Sequence, residues 1–251
     1  MDARRRLAPR AAAAGFAVAQ TGEGGLQPVV ETLPPGHYLR LAGQLELNPA
    51  EHTLIQSKAA NTQHHWLALK RFDWVCSKAG QSGRLHMHSA CGLLGADFRL
   101  PSLDYQVLIA ATRRLCKSPA AAQLQFRRAI FNLLACNQDD HSKNWAFLQN
   151  DQGQWQPAPF YDVTFSPHSH REHSTAFAGH GKVPPLKAVQ GLAAAAGFSS
   201  WGEARQIVDH TMHTLAQFET QAQALGLSQQ TCTLITQELE ATRKANKGLL
   251  G

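Results

Sequence analysis

The sequence predicts an α+β fold, mostly helical, with a small β portion. Three observations carry that reading. Short β-type runs cluster around residues 53–72 and again around 144–156, four longer stretches keep a helical apolar period with capping residues, and 43% of the 251 residues are hydrophobic against 17% charged, enough for a packed core. With 24 Lys and Arg against 18 Asp and Glu the formal net charge is +6, a modest and scattered excess. No window approaches the ~18 consecutive apolar residues of a membrane-spanning helix, so no membrane association is expected. The five cysteines are odd in number and include no C-x-x-C pair, which argues for reduced thiols in a cytoplasmic protein rather than a disulfide framework or zinc ribbon.

Residues 1–36 hold no apolar period long enough to define an element: Arg and Ala come first, then Gly22, Gly24, Gly25 and the pair Pro34-Pro35. They read as a poorly structured lead segment ahead of one domain over 37–251. Residues 38–42 suit a short helix ended by Gly43. The β-type runs 53–56 and 66–72, separated by polar residues 58–63, suit a hairpin. After a loop around Gly80 and Gly83 the chain turns helical, with Ser102 capping a segment that carries Leu103, Val107, Leu108, Ala111 and Leu115. Ser118-Pro119 then opens a second helix, Ser at the N-cap and Pro at the first helical position, whose apolar residues fill most of its circumference and place it deep in the core. Two short strands, 144–149 and 154–156, flank the turn Asn150-Asp151-Gln152-Gly153. Beyond Pro184-Pro185 the chain reads as helical: Ser200 and Glu203 make a capping box, an apolar stripe continues to Gly226, and a last amphipathic helix covers about 229–247.

The stretch Asn137-Gln138-Asp139-Asp140-His141-Ser142-Lys143-Asn144 lies between a buried helix and a strand, where a scaffold presents a functional loop. Asp139 is followed five positions on by Asn144 and, after a hairpin, by Tyr161-Asp162. That order suits phosphoryl transfer as protein kinases perform it. The first Asp accepts the proton of the substrate hydroxyl, while the Asn and second Asp hold Mg²⁺ against the nucleotide phosphates.

Residues 137–144, followed by Trp155-Gln156-Pro157-Ala158-Pro159-Phe160-Tyr161-Asp162-Val163, resemble the catalytic core of HipA-type serine/threonine protein kinases, the toxin halves of bacterial toxin–antitoxin pairs. Leu69-Lys70-Arg71-Phe72-Asp73 is similar to the family's hinge, Gly83-Arg84-Leu85-His86 to its continuation, and His173-Ser174 with Gly179-His180-Gly181 to the segment after the metal-binding Asp. The resemblance implies a protein-kinase-like C-lobe that takes ATP and Mg²⁺ and phosphorylates Ser or Thr of a protein substrate. It makes Asp139 the general base and Asn144 and Asp162 the Mg²⁺ ligands. His141, Lys143 and Tyr161 fall in the nucleotide site, and the backbone of Lys70, Arg71 and Phe72 meets the adenine, although Lys70 stands where many relatives have Glu. It further implies a HipB-like helix-turn-helix antitoxin as partner, with DNA reached only through that antitoxin.

The family's N-lobe, with its phosphate loop and strand Lys, has no counterpart in the sequence, which holds no lysine before Lys58. The expectation is therefore a truncated or split kinase completed by a separate N-lobe polypeptide. The alternative is a catalytically inactive fragment that binds an antitoxin or that lobe. In either case apolar surface near Leu54, Ile55, Trp66 and Leu67 is expected to lie open. Two other chemistries compete. His168, His170 and His173 could ligate zinc but lack the helical spacing that makes rings converge. Arg127-Arg128 and Arg243-Lys244 could meet nucleic acid but read as solvated surface.

Overall fold

A computed structural model describes residues 16–18, 33–56, 65–76, 80 and 82–251. Strand β1 (Phe16–Val18) and strand β2 (His52–Gln56) flank β3 (His65–Lys70) in an antiparallel sheet ordered β1-β3-β2. The expected hairpin thus exists in its two strands, while its polar connection falls outside the described residues. So do Gly22, Gly24, Gly25 and Lys58. A strand at Phe16–Val18, paired from Phe16 opposite Lys70 to Val18 opposite Ala68, is an element the sequence pattern did not offer. Three residues are too short to show a period, and pairing to β3 defines them.

Helix α1 (Leu33–Gln44) packs on β2 and β3 with Tyr38, Leu39, Leu41 and Ala42 buried. It begins five residues before the expected start, since prolines in a first turn give up only N–H groups that have no helical partner. It also covers much of the sheet surface expected to lie open: Leu67 is buried, and Leu54 packs against the core.

The next segment differs more. Where a loop leading into helix was expected, β4 (Trp74–Cys76) pairs with β5 (Ser82–Arg84) as an exposed hairpin, with the Arg84 guanidinium 5.3 Å from the Trp74 ring centre. Strand β6 (His86–Ser89) follows, then the short helix α2 (Ala90–Leu94). Next, β7 (Leu103–Asp104) leads directly into helix α3 (Tyr105–Cys116). Its cap is Asp104, whose carboxylate accepts the Gln106 N–H at 2.7 Å, rather than Ser102. Helix α4 (Pro119–Leu134) starts as expected, with Ser118 accepting the Ala121 N–H and Pro119 first. It runs through the centre of the core between α3 and the later helices.

Strands β8 (Ala146–Gln149) and β9 (Trp155–Pro157) form the expected hairpin, its turn held by the Asn150 side chain accepting from the Gln152 and Gln154 N–H groups. Strand β6 joins them in the order β6-β8-β9. The two-residue β10 (Thr175–Ala176) pairs in parallel with β7.

The C-terminal body comprises α5 (Leu186–Ala196), α6 (Trp201–Ala216), α7 (Phe218–Ala224) and α8 (Gln229–Ala245). Ser200 caps α6 as its capping box required, although the Glu203 carboxylate turns back to the Ser199 N–H and hydroxyl. The continuous helix expected up to Gly226 breaks at Gln217. There Phe218 turns into the core, its ring 4.9 Å from His37 and 6.0 Å from Tyr38. No described helix is long and apolar enough to cross a membrane.

Candidate active site

Helix α4 ends at Leu134, and the left-handed backbone of Cys136 (φ 55°) swings residues 137–144 across the core surface. A run of buried hydrogen bonds fixes that loop. The Tyr105 hydroxyl donates to the Asp140 carboxylate at 2.6 Å and accepts from the Asn132 amide at 3.0 Å. The Asn132 oxygen takes the Asn137 amide at 2.8 Å, and the Asn137 oxygen takes the Ser166 hydroxyl at 3.0 Å. Ser166 Oγ in turn accepts the Asp139 N–H at 3.3 Å.

Asp140 is almost wholly buried. Its carboxylate also meets His173 Nδ1 at 3.0 Å and the Thr175 N–H at 3.0 Å, and its carbonyl accepts Trp145 Nε1 at 3.0 Å. The Asp140 side chain thus has the hydrogen-bond partners that a buried polar group needs. Asp139, its neighbour, faces solvent.

A short 3-10 turn, Ser142–Asn144, leads into β8. The Asn144 amide donates to the Asp139 carbonyl at 2.8 Å, which folds the loop back on itself. After β9 the chain passes Phe160, stacked on Trp145 with ring centres 5.9 Å apart, and Tyr161, whose hydroxyl donates to the Lys143 carbonyl at 2.6 Å. Asp162 follows in a left-handed conformation (φ 55°), costly for a residue with a Cβ and held by these flanking contacts. Its carboxyl group is pushed upward first by burial and then by the Asp139 charge, against the pull of His141 and a hydrogen bond from Asn144.

Asp139, Asn144 and Asp162 therefore converge as the sequence pattern suggested. His141 joins them, its Nε2 3.9 Å from Asp139 Oδ1, while its buried Nδ1 has no hydrogen-bond partner among the described residues. Two carboxylates beside an asparagine side chain form a hard donor set once the Asn144 amide presents its oxygen. That set suits Mg²⁺, which needs one or two carboxylates and takes its other ligands from water and phosphate.

The remaining predicted residues are more dispersed. Phe72 lies against Tyr161, ring centres 5.4 Å apart, which brings the segment after β3 beside the segment after β9. Lys70 pairs with Glu51 at 2.8 Å and Arg71 forms a fork with Asp73, both outward on the surface. The Lys143 ammonium sits 3.3 Å from the centre of the Phe98 ring.

Sequence reasoning did not find the hydrogen-bonded partners of the loop. One signal was present in Asn132, a polar residue amid the apolar Ile130-Phe131 and Leu133-Leu134 of a core helix. Arg128 was misread as solvated surface. It is buried, and donates to the Leu47 carbonyl at 3.0 Å with its guanidinium 5.1 Å from the Phe160 ring. Zinc at the histidines fails because His173 is turned inward onto Asp140, and among the described residues no group of three His, Cys, Asp or Glu could hold a metal ion.

Comparison with known proteins gives matches of three kinds. The model of the HipA-like C-terminal domain matches residues 36–245. Over 134 residues the chain is 31% identical to the Sinorhizobium fredii (strain NBRC 101917 / NGR234) protein named "Putative kinase Y4mE", covering 50% of this chain and 30% of that protein. Its fold is similar to a chain in the solved complex of the Shewanella oneidensis MR-1 toxin–antitoxin system HipA, HipB and operator DNA. The TM-score is 0.65 and the identity 16%, over 94% of this chain and 58% of that one. The chain thus spans less than two thirds of either protein.

Proposed function

The chain belongs to the HipA-like C-terminal domain family, and on that premise we propose that it transfers the γ-phosphoryl group of ATP to a Ser or Thr hydroxyl of a protein substrate. The observation that supports this most is the convergence of Asp139, Asn144 and Asp162 from two separate segments. Asp139, exposed at the loop, takes the hydroxyl proton as the oxygen attacks phosphorus and ADP leaves. Asn144 and Asp162 would hold Mg²⁺, which neutralises charge on the phosphates. His141, Lys143 and Tyr161 line the nucleotide side, and the backbone of Lys70, Arg71 and Phe72 meets the adenine.

In this reading 37–251 is the kinase core and 1–36 a lead segment to it. The protein acts in the cytoplasm as the toxin of a toxin–antitoxin module, held by a HipB-like helix-turn-helix antitoxin and touching DNA only through it. A phosphate loop and strand Lys would come from a separate N-lobe polypeptide. The test is to titrate ATP into the purified chain with and without Mg²⁺ and to follow labelled phosphate into a generic protein substrate. Mg²⁺-dependent binding with transfer supports the kinase, whereas binding without transfer, unchanged when the candidate N-lobe is added, identifies an inactive binding module.

A further inference from the structure

A second cluster stands beside the Asp139 loop. The Phe98 ring carries the Lys143 ammonium at 3.3 Å and the Arg99 guanidinium at 4.7 Å from its centre, with the His141 ring edge-on at 5.8 Å. Both cations are left largely unneutralised. Lys143 forms no ion pair with a described carboxylate, and Arg99 meets only Asp97, at 3.9 Å, with its side chain 74% exposed.

The platform is firmly tied to the loop. The Ser142 hydroxyl, one residue from Lys143, donates to the buried Ala96 carbonyl at 2.9 Å. The Asp97 side chain accepts the Arg99 N–H at 3.0 Å, and the Asp97 carbonyl accepts the Ser102 hydroxyl at 2.8 Å. Leu100, 62% exposed, adds an apolar edge.

We infer that the Phe98 and Arg99 platform, with Lys143 at its nucleotide-side edge, docks an acidic side chain of the phosphoacceptor protein next to the hydroxyl presented to Asp139. The proposal rests on the kinase reading for the identity of its ligand and adds the substrate class. Two cations held against one aromatic ring are already oriented, so a carboxylate gains their attraction without ordering two free side chains. The neighbouring cleft carries the like charges of Asp139 and Asp162, which would repel an acidic segment. A cationic platform beside them lets such a segment approach and fixes its register.

The test uses labelled peptides with a central Ser flanked by Glu, by Ala or by Lys, bound without nucleotide to the full chain and followed by fluorescence anisotropy. The Glu peptide should bind ~10-fold tighter than the Ala peptide, a preference that added salt weakens. Arg99→Glu should abolish the preference, and circular dichroism reports whether that exposed substitution leaves the fold intact. Phe98→Leu, which removes the ring that orients both cations, should reduce it. Equal binding of Glu and Ala peptides to the wild type overturns the inference, as does a preference that survives Arg99→Glu. Stronger competition by a short DNA duplex than by the Glu peptide also overturns it, in favour of a general polyanion site. An ATP titration on the same samples, with the candidate N-lobe added, separates the two readings: absent nucleotide binding with an intact acidic preference sinks the kinase and keeps the docking site.

Discussion

The Tyr105 hydroxyl donates to the buried Asp140 carboxylate at 2.6 Å, across 35 residues of sequence. This contact pins the candidate catalytic loop to the first turn of α3, and it leaves the adjacent Asp139 as the carboxylate free for chemistry. Of two consecutive aspartates, one is structural and one faces the cleft.

Tyr105→Phe should therefore destabilise the fold without touching the cleft groups. It removes a hydrogen bond to a buried carboxylate and leaves the Asn132 amide short of an acceptor, a loss of ~2 kcal/mol. Urea unfolding of the wild type and variant checks this, and equal midpoints would refute it.

The two cleft aspartates should separate by function. On the kinase reading, Asp162→Ala should abolish Mg²⁺-dependent ATP binding, while Asp139→Asn should leave ATP binding in place and reduce transfer by ~100-fold or more. Calorimetry and a phosphate-transfer assay read the two separately. Unaltered Mg²⁺-ATP affinity in Asp162→Ala would remove it from the metal site.

Arg128 should not tolerate replacement by lysine. Its forked guanidinium reaches the Leu47 carbonyl at 3.0 Å and the Asn48 carbonyl at 3.4 Å, while a lysine ammonium is a compact point charge. Arg128→Lys should cost ~2 kcal/mol by leaving buried carbonyls unpaired. Because Asn48 also accepts the Phe160 N–H at 2.7 Å, the variant should weaken ATP binding along with thermal stability. A variant with the wild-type melting temperature would contradict this.

His37 predicts a pH dependence of stability. Buried against Phe218 and near Arg40, it is pushed from 6.5 down to about 4, first by burial. The unfolded chain then binds a proton that the folded chain refuses between those values. This contribution is complete above pH 6.5 and is lost as the pH falls toward 4, to a total of ~3 kcal/mol. His37→Phe should flatten that slope relative to the wild type when urea unfolding is measured between pH 5 and pH 7. Parallel slopes would show that His37 does not titrate in this way.

What the sequence made legible was local. Ser118 and Pro119 announce α4, Asn150 and Gly153 announce the β8–β9 turn, and the spacing of Asp139, Asn144 and Asp162 points to the cleft where those residues meet. What stayed hidden depends on partners far along the chain. His86 to Ser89 forms a strand because β8 lies beside it, opposite Gln149 to Ala146. The helix breaks at Gln217 because Phe218 finds His37 and Tyr38. Asp140 looks like a turn residue until Tyr105, His173 and Thr175 surround it.

The hydrogen bonds around that aspartate run in one sense. Beginning at the Asp139 N–H they pass through Ser166, Asn137, Asn132 and Tyr105 and arrive at the Asp140 carboxylate, one residue from the start. In a circuit with a single polarity, neither asparagine can rotate its amide by half a turn without setting donor against donor. The two aspartates are thereby joined twice, by a peptide bond and by a route through two helices and the segment beyond Asp162. Exchange of the Asp139 amide proton with solvent opens the circuit at its exposed end, so a probe placed at the cleft touches a chain of bonds that ends between α3 and α4.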